Sequence, residues 1–130
     1  MAEAVLLKQI LGELTRNAEQ IRQEELEGFA DQIQKARRVF VAGAGRSGFV
    51  ARAFSNRLMH LGLTVYFVGE PTMPGSTPKS ELADTAVSVQ PMGNAFEQML
   101  WLICDTVVII LMKRLGRTEE EMFALHANLE

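Results

Sequence analysis

A glycine-rich hexapeptide, Gly-Ala-Gly-Arg-Ser-Gly at residues 43–48, stands between an apolar run and a helical pattern. The apolar run at 39–42 predicts a strand, and the apolar spacing through 49–61 predicts a helix. The first amide groups of such a helix have no internal partners, and the helix dipole is positive there. A strand, glycine turn and helix in this order are therefore a candidate anion site.

The charge distribution agrees with an anion site. Residues 36–69 contain five arginines and no acidic residue, whereas the whole chain has 13 basic and 16 acidic side chains. The net charge of −3 argues against general nucleic-acid binding and leaves a local basic segment. A phosphate-bearing small molecule is the ligand class that this pattern favours.

Length and composition set the outer bounds. At 130 residues and 48% apolar content, the chain predicts one globular domain with its own core. The single cysteine, Cys104, lies in an apolar helical segment and predicts an inert core thiol in a reducing compartment. The N-terminus lacks the basic and apolar pattern of a secretory signal, so we expect a cytoplasmic protein. The histidines and the cysteine do not have metal-ligand spacing, so no metal is expected.

The N-terminal residues predict two helices. Apolar residues from Ala4 to Ile21 recur at steps of three and four in a narrow stripe. Such a stripe fits a helix lying on its own domain about as well as a helix packed on a partner subunit. A second helix is expected to run to about Lys35, with these residues inward: Leu26, Phe29, Ala30 and Ile33.

The middle of the chain predicts a βαβ unit. Strands are expected at 38–42 and 64–68, and the continuous apolar composition of the second is typical of a buried parallel strand. The intervening helix should end at Gly62. Its expected inward residues are Phe49, Val50, Ala53, Phe54, Leu58 and Leu61. A proline-rich loop at 71–78 and a weak third strand at 85–89 follow.

A long helix is expected at 93–114, and its segment 99–112 is almost entirely apolar. Fourteen such residues are too few to span a membrane, so no membrane partner is expected. A helix that is apolar on nearly all sides needs cover on nearly all sides, which predicts a homo-oligomer, a dimer or tetramer. Thr118 and Glu121 form a capping-box signal for a last helix that runs to about His126.

The glycine turn permits three interpretations. Gly43, Gly45 and Gly48 match the dinucleotide fingerprint, and Glu70 lies 22 residues beyond Gly48, where a ribose-binding acid would stand. The Arg46–Ser47 pair instead favours direct contact with a phosphate. The third interpretation is a turn whose glycines serve only close packing.

Two further residues are candidates for acid–base chemistry. Glu97, early in the apolar helix, is either a helix N-terminal charge or a partly desolvated general base. Composition alone favours the first interpretation. His126 is either a favourable charge near a helix C-terminus or an acid–base group. His60, at the end of the central helix, is explained by the helix dipole.

Six segments taken together resemble one family, the 6-phospho-3-hexuloisomerases of the sugar isomerase (SIS) superfamily. They are residues 40–48, 57–62, Val-Gly-Glu at 68–70, Gln-Pro-Met-Gly at 90–93, Phe-Glu-Gln at 96–98 and His-Ala-Asn-Leu-Glu at 126–130. The resemblance implies an α/β three-layer sandwich with a parallel, flavodoxin-like sheet, usually assembled as a tetramer. It also implies interconversion of 3-hexulose 6-phosphate and fructose 6-phosphate, in formaldehyde fixation or in ribulose phosphate supply.

One departure from the family is large. Family members carry a further βαβα block after the second strand, and its first turn, of Ser-Gly-Ser-Gly-Glu-Thr type, holds the sugar phosphate. This chain passes almost directly from residue 72 to a segment that resembles the part after that block. We therefore expect a sheet shortened to two or three strands, and the loss of that loop puts the activity in question.

The resemblance also assigns roles within a single shortened domain, residues 1–130. Its parts are N-terminal helices at 1–35, the βαβ unit at 36–70, a junction at 71–92 and C-terminal helices at 93–130. It implies Glu97 as the base of an enediol proton transfer, and His126 as the second proton carrier, reaching a neighbouring subunit's pocket. It implies that Gly45, Arg46, Ser47 and Gly48 line the substrate, and that no metal or organic cofactor is required. The alternative function is a non-catalytic module that binds a sugar phosphate or nucleotide.

Overall fold

The computed structural model describes residues 2–69 and 94–129 of the chain. Five helices and two strands follow one another along these residues. Their bounds are α1 Val5–Ala18, α2 Gln23–Lys35, β1 Val39–Ala42, α3 Gly45–His60, β2 Val65–Val68, α4 Asn94–Leu115 and α5 Glu119–Leu129. The predicted α/β class, with a shortened parallel sheet and long helices, is confirmed.

The sheet of the described residues has two parallel strands. Val39 pairs with Val65, and the register continues to Ala42 opposite Val68. Exposure alternates along both strands, and Phe40 and Tyr66 stack on the open face with ring centroids 5.4 Å apart. The expectation that the second strand is buried on both faces is therefore wrong, since Tyr66 is 50% exposed. Continuous apolar composition could not separate a covered sheet face from an uncovered one.

Helix α3 begins at Gly45, inside the glycine stretch rather than after it. It ends as predicted at Gly62, which has φ of +89°. There the Gly62 amide donates to the Met59 carbonyl and the Leu63 amide to the Leu58 carbonyl, the Schellman pattern. Phe49, expected inward, is 52% exposed, so that prediction is wrong.

The core lies between α2, α3, α4, α5 and the inner face of the sheet. Its buried members are Ala30, Ile33, Phe54, Leu58, Leu61, Val65, Cys104, Val107, Val108, Leu111 and Met122. The expected inward faces of α2 and α3 are thus largely confirmed, whereas Phe29 stays 41% exposed while its ring contacts Phe54. Cys104 is a core thiol as predicted, and burial, with a smaller contribution from Asp105, raises its pKa to about 11.

Helix α4 is longer than its apolar centre. The stretch Ala95–Leu115, 21 residues, is long and apolar enough to cross a membrane by length and composition, so the exclusion on length is wrong. One face of α4 is nevertheless part of the core, where Val107 and Leu111 have no exposed area. The opposite face leaves Trp101 and Ile109 about half exposed, so α4 is not covered on all sides within the described chain.

Helix α5 begins with the predicted capping box. The Glu121 amide donates to Thr118 Oγ1 at 3.2 Å, and the Thr118 amide donates to a Glu121 carboxylate oxygen at 3.3 Å. The helix continues to Leu129, beyond the expected end near His126. The proline-rich loop, the weak third strand and Glu70 lie outside the described residues.

Helix α1 lies on its own domain, against the first half of α4. Its apolar stripe is only partly used there, because Leu7 and Leu11 remain 56% and 53% exposed. Its buried side chain is Glu13. The first interpretation of the stripe is therefore confirmed for the packing of α1, and a partner subunit remains a prediction for its exposed part.

Candidate functional site

The carboxyl ends of the two parallel strands lie side by side and form one border of the site. Gly43 follows β1 and Gly69 follows β2, and a Cβ on Gly69 would stand 3.8 Å from the Gly43 carbonyl oxygen. Gly43 itself is held by close packing, since a Cβ there would lie 2.9 Å from the Gly48 Cα. Ligands of open α/β sheets bind at such strand ends.

The first turn of α3 lies next to these strand ends, because the helix begins at Gly45, two residues after Gly43. Gly45 has φ of +63°, a conformation that side-chain-bearing residues rarely adopt, and nothing lies within 4 Å of a Cβ built there. The Gly48 amide donates to the Ala44 carbonyl at 3.0 Å, and Ser47 Oγ donates to the same oxygen at 3.2 Å. Ala44, at the N-cap, has no side-chain oxygen for the first amide groups. The turn is therefore suited to an anion.

A second helix N-terminus faces the first. Glu97 lies in the first turn of α4, and its Oε1 is 3.7 Å from Nε of Arg46 in the first turn of α3. The Glu97 side chain is 14% exposed, whereas that of Arg46 is 63% exposed. Within the described chain, Glu97 Oε2 is buried and has no hydrogen-bond partner. One carboxylate oxygen thus pairs with a largely exposed cation, while the other has unused acceptor capacity.

These two residues stand at the polar end of a cavity of about 530 Å³. The remaining walls are apolar and come from three helices: Leu7, Ile10, Leu11 and Leu14 of α1, Phe49 and Val50 of α3, and Trp101 and Leu102 of α4. Gln98 adds one further polar side chain. The contribution of α1 was missed by sequence reasoning, although its apolar stripe was the available signal.

The structure brings some of the predicted site residues together. The turn at Gly45–Gly48 and the Glu97 carboxylate meet at the cavity, as the Arg46–Glu97 pair shows. His126 lies on α5, whose backbone is described there while its side chain is not. His60 is buried at the opposite end of α3 from Gly45. In the described ranges, no group of three potential metal ligands occurs.

The geometry allows two chemical tasks in one place. The α3 amide groups and Arg46 can bind an anion, and the Glu97 carboxylate, which is largely shielded from solvent, can accept a proton from a bound molecule. The walls beside these groups are apolar, and several of their side chains, such as Leu7 and Phe49, remain about half exposed. An anionic small molecule with an acidic C–H bond fits this arrangement.

Comparison with known proteins gives a consistent family. No model of a protein family matches the chain. A Bacillus subtilis protein named 3-hexulose-6-phosphate isomerase is 32% identical, over 94% of this chain and 96% of the relative. Proteins of the same name from Methanocaldococcus jannaschii and Mycobacterium gastri are 31% and 30% identical, over 84% and 89% of their lengths.

A solved structure agrees. A crystal structure of a Methanococcus jannaschii protein, for which a function of 3-hexulose-6-phosphate isomerase was inferred, superposes with a TM-score of 0.70. Its sequence is 25% identical, and the match covers 92% of this chain and 96% of that one. A second crystal structure, of a hypothetical protein, gives a TM-score of 0.72 at the same identity.

The alignments also show that this chain is shorter than its relatives. The alignment with the Bacillus subtilis relative extends over 178 residues, 48 more than the whole of this chain. Because it covers nearly all of both proteins, the surplus is internal to the relative. The absence of one block after the second strand stays a prediction. With near-complete coverage at above 30% identity, the chain belongs to the 3-hexulose-6-phosphate isomerase family.

Proposed function

We propose that the protein interconverts 3-hexulose 6-phosphate and fructose 6-phosphate. The carbonyl group moves between C3 and C2 through a 2,3-enediol, so a base must take a proton from one carbon and deliver it to the other. The observation that carries the proposal is the Arg46–Glu97 pair, 3.7 Å apart at the polar end of the cavity. A cation and a carboxylate side by side suit a substrate that has a phosphate and an acidic C–H bond.

Each residue has a role in this proposal. Glu97 is the base, since its carboxylate is largely shielded from solvent and Oε2 faces no described donor. Gly45, Arg46 and Ser47 hold the anionic part of the substrate through their first-turn amide groups and the Arg46 guanidinium, and Gly48 lines the substrate on the same turn. His126 is the second proton carrier on the substrate oxygens, supplied to the pocket by a neighbouring subunit.

The proposal includes the organisation of the chain. Residues 1–130 act as one shortened SIS-type domain, and copies of it associate through the exposed apolar faces of α1 and α4 into a dimer or tetramer. Proton transfer through an enediol needs a base and a proton shuttle, so we propose no cofactor. We further propose that the protein acts in the cytoplasm, in formaldehyde fixation or ribulose phosphate supply.

Conversion of fructose 6-phosphate is the assay that tests this function. Glu97→Gln should lower kcat by about 10²–10⁴, and His126→Ala should also lower it. Glu27→Gln, at an exposed position of α2, removes the same charge away from the cavity and should leave activity unchanged. Wild-type activity that survives both site substitutions would exclude these assignments.

A second candidate function is binding without turnover. It is favoured by the length of the relative, because its 178 aligned positions are matched by only about 122 residues of this chain (94% of 130). The resemblance implies that the family's phosphate loop belongs to the part that has no counterpart here. Thermal shift with fructose 6-phosphate and with NAD discriminates. Stabilisation by the sugar phosphate without isomerisation would select this candidate, and preference for NAD would select the dinucleotide interpretation.

A further inference from the structure

The two members of the Arg46–Glu97 pair differ in exposure, since Arg46 is largely in solvent and Glu97 is largely buried. In the proposed function the substrate uses both side chains. In this structure they instead face each other as an ion pair, with Arg46 Nε 3.7 Å from Glu97 Oε1. The separation is too long for a hydrogen bond, and Arg46 is 63% exposed, so the attraction is weak. The Glu97 carboxylate is 14% exposed, and this one partner offsets only part of the free-energy cost of its desolvation.

A phosphate-type anion is a better partner for the guanidinium. It offers several oxygens for charge-assisted hydrogen bonds, and the first-turn amide groups of α3 lie on the same turn as Arg46. Arg46 has a long side chain with its end in solvent, so it can turn between the two anions. The carboxylate and the incoming anion therefore compete for one cation.

We propose that this competition is an anion-operated catch: an incoming phosphate-type anion takes Arg46 from Glu97 and so releases the carboxylate toward the rest of the ligand. The role of the released Glu97 as base rests on the proposed function, whereas the competition itself does not. In this arrangement Arg46 is a positioning residue as well as an anion contact. A molecule without an anionic group leaves the pair closed, which gives the site selectivity for phosphorylated ligands.

The test is a double-substitution cycle on the binding of inorganic phosphate, measured by calorimetry. Glu97→Gln removes the competitor, so phosphate should bind about 2- to 5-fold more tightly. Arg46→Gln removes the cation and should weaken binding by about 10-fold or more. In the Arg46→Gln background, the gain from Glu97→Gln should largely disappear, because no cation is left to compete for.

Matched variants control for net charge and for folding. Glu27→Gln and Arg37→Gln change the same charges at exposed positions that do not line the cavity, and both should bind phosphate as the wild type does. Glu97→Asp withdraws the carboxylate by one methylene and should give an intermediate gain. It serves as the second variant if Glu97→Gln folds poorly, and thermal unfolding of each variant decides that.

The outcomes separate this inference from the proposed function. Equal or weaker phosphate binding by Glu97→Gln overturns the catch, and so does a gain that persists in full without Arg46, which would be simple charge repulsion. Absence of phosphate binding in every variant overturns it too. A non-additive cycle in a protein that does not isomerise fructose 6-phosphate would support the catch and reject the function. If isomerisation is present, Arg46→Gln should raise KM more than it lowers kcat, and Arg46→Lys should restore part of KM.

Discussion

Helix α4 runs through two different environments, and their contrast organises the molecule. At the packed end, around the last turns of α3 and α4, Val107, Leu111 and Leu58 have no exposed area. At the cavity end, around the first turns of the same helices, Trp101 and Leu102 are about half exposed. Within the described residues, Arg46 and Glu97 meet at the cavity end. Stability and function are thus expected to depend on different ends of the same helices.

The largest expected effect comes from matched leucine truncations on α4. Leu111→Ala, at the packed end, should lower the free energy of unfolding by about 2–5 kcal/mol, because the cavity it leaves is fully enclosed. Leu102→Ala, at the cavity end, should cost about 1 kcal/mol or less, since Leu102 is already 46% exposed. Urea unfolding of both measures the contrast, and equal losses would remove it.

Two glycines give a second matched pair. Gly43→Ala places a Cβ 2.9 Å from the Gly48 backbone and should destabilise by about 1–3 kcal/mol, with loss of phosphate binding. Gly28→Ala, inside α2 with open space around the new Cβ, should stabilise by about 0.5–1 kcal/mol. If Gly43→Ala left both stability and phosphate binding unchanged, close approach of strand and helix would not be needed at the cavity end.

Two arginine–carboxylate pairs sharpen the comparison. Arg114 donates to Asp31 at 2.6 Å and to Gln34 at 3.1 Å, which ties the end of α4 to α2. Arg114→Met should lower stability by about 0.5–1.5 kcal/mol, less at high salt, and leave phosphate binding intact. Arg46→Met should weaken phosphate binding and leave the free energy of unfolding nearly unchanged. The same effect of both substitutions on unfolding and binding would contradict a division between the two ends.

The smallest effect concerns acid stability at the cap of α5. Hydrogen bonds from the Thr118 amide and hydroxyl lower the pKa of Glu121 below its ordinary value of 4.5. A lowered folded-state pKa adds stability that is complete above the unfolded-state pKa and is lost as pH falls through the folded one. Thr118→Ala keeps the amide donor and removes the hydroxyl, so it should unfold more easily than wild type near neutral pH, and the part of the difference due to the hydroxyl's bond to the carboxylate should be lost in acid. Thr118→Ser, which keeps the hydroxyl, is the control, and a pH-independent difference would argue against this origin.

The sequence was sufficient where the signal is local. The helix end at Gly62 and the capping box of Thr118 and Glu121 were predicted, because each depends on a few neighbouring residues. The order of strand, glycine turn and helix was predicted correctly. The start of the helix was not, since Arg46 and Ser47 already belong to the first turn of α3. Helix boundaries depend on single backbone conformations, here Gly45 at positive φ.

The sequence was insufficient where burial depends on distant segments. The exposure of Phe40 and Tyr66 reflects which face of the sheet the helices cover, and composition carries no such information. The pairing of Arg46 with Glu97 is between two helix N-termini far apart along the chain, and neither residue's neighbours specify it. The wall that α1 adds to the cavity depends on its docking against α4.

Deuterium incorporation at C3 of fructose 6-phosphate, followed by NMR in D₂O, tests the central claim about the cavity end most directly. The carbon next to the carbonyl exchanges its proton with solvent only if a base forms the enediol. We expect the wild type to exchange this position and Glu97→Gln to slow the exchange by about 10²–10⁴, with Glu27→Gln unchanged. Absence of exchange in a folded wild-type protein, or equal exchange in Glu97→Gln, would contradict the assignment of proton transfer to this end of the molecule.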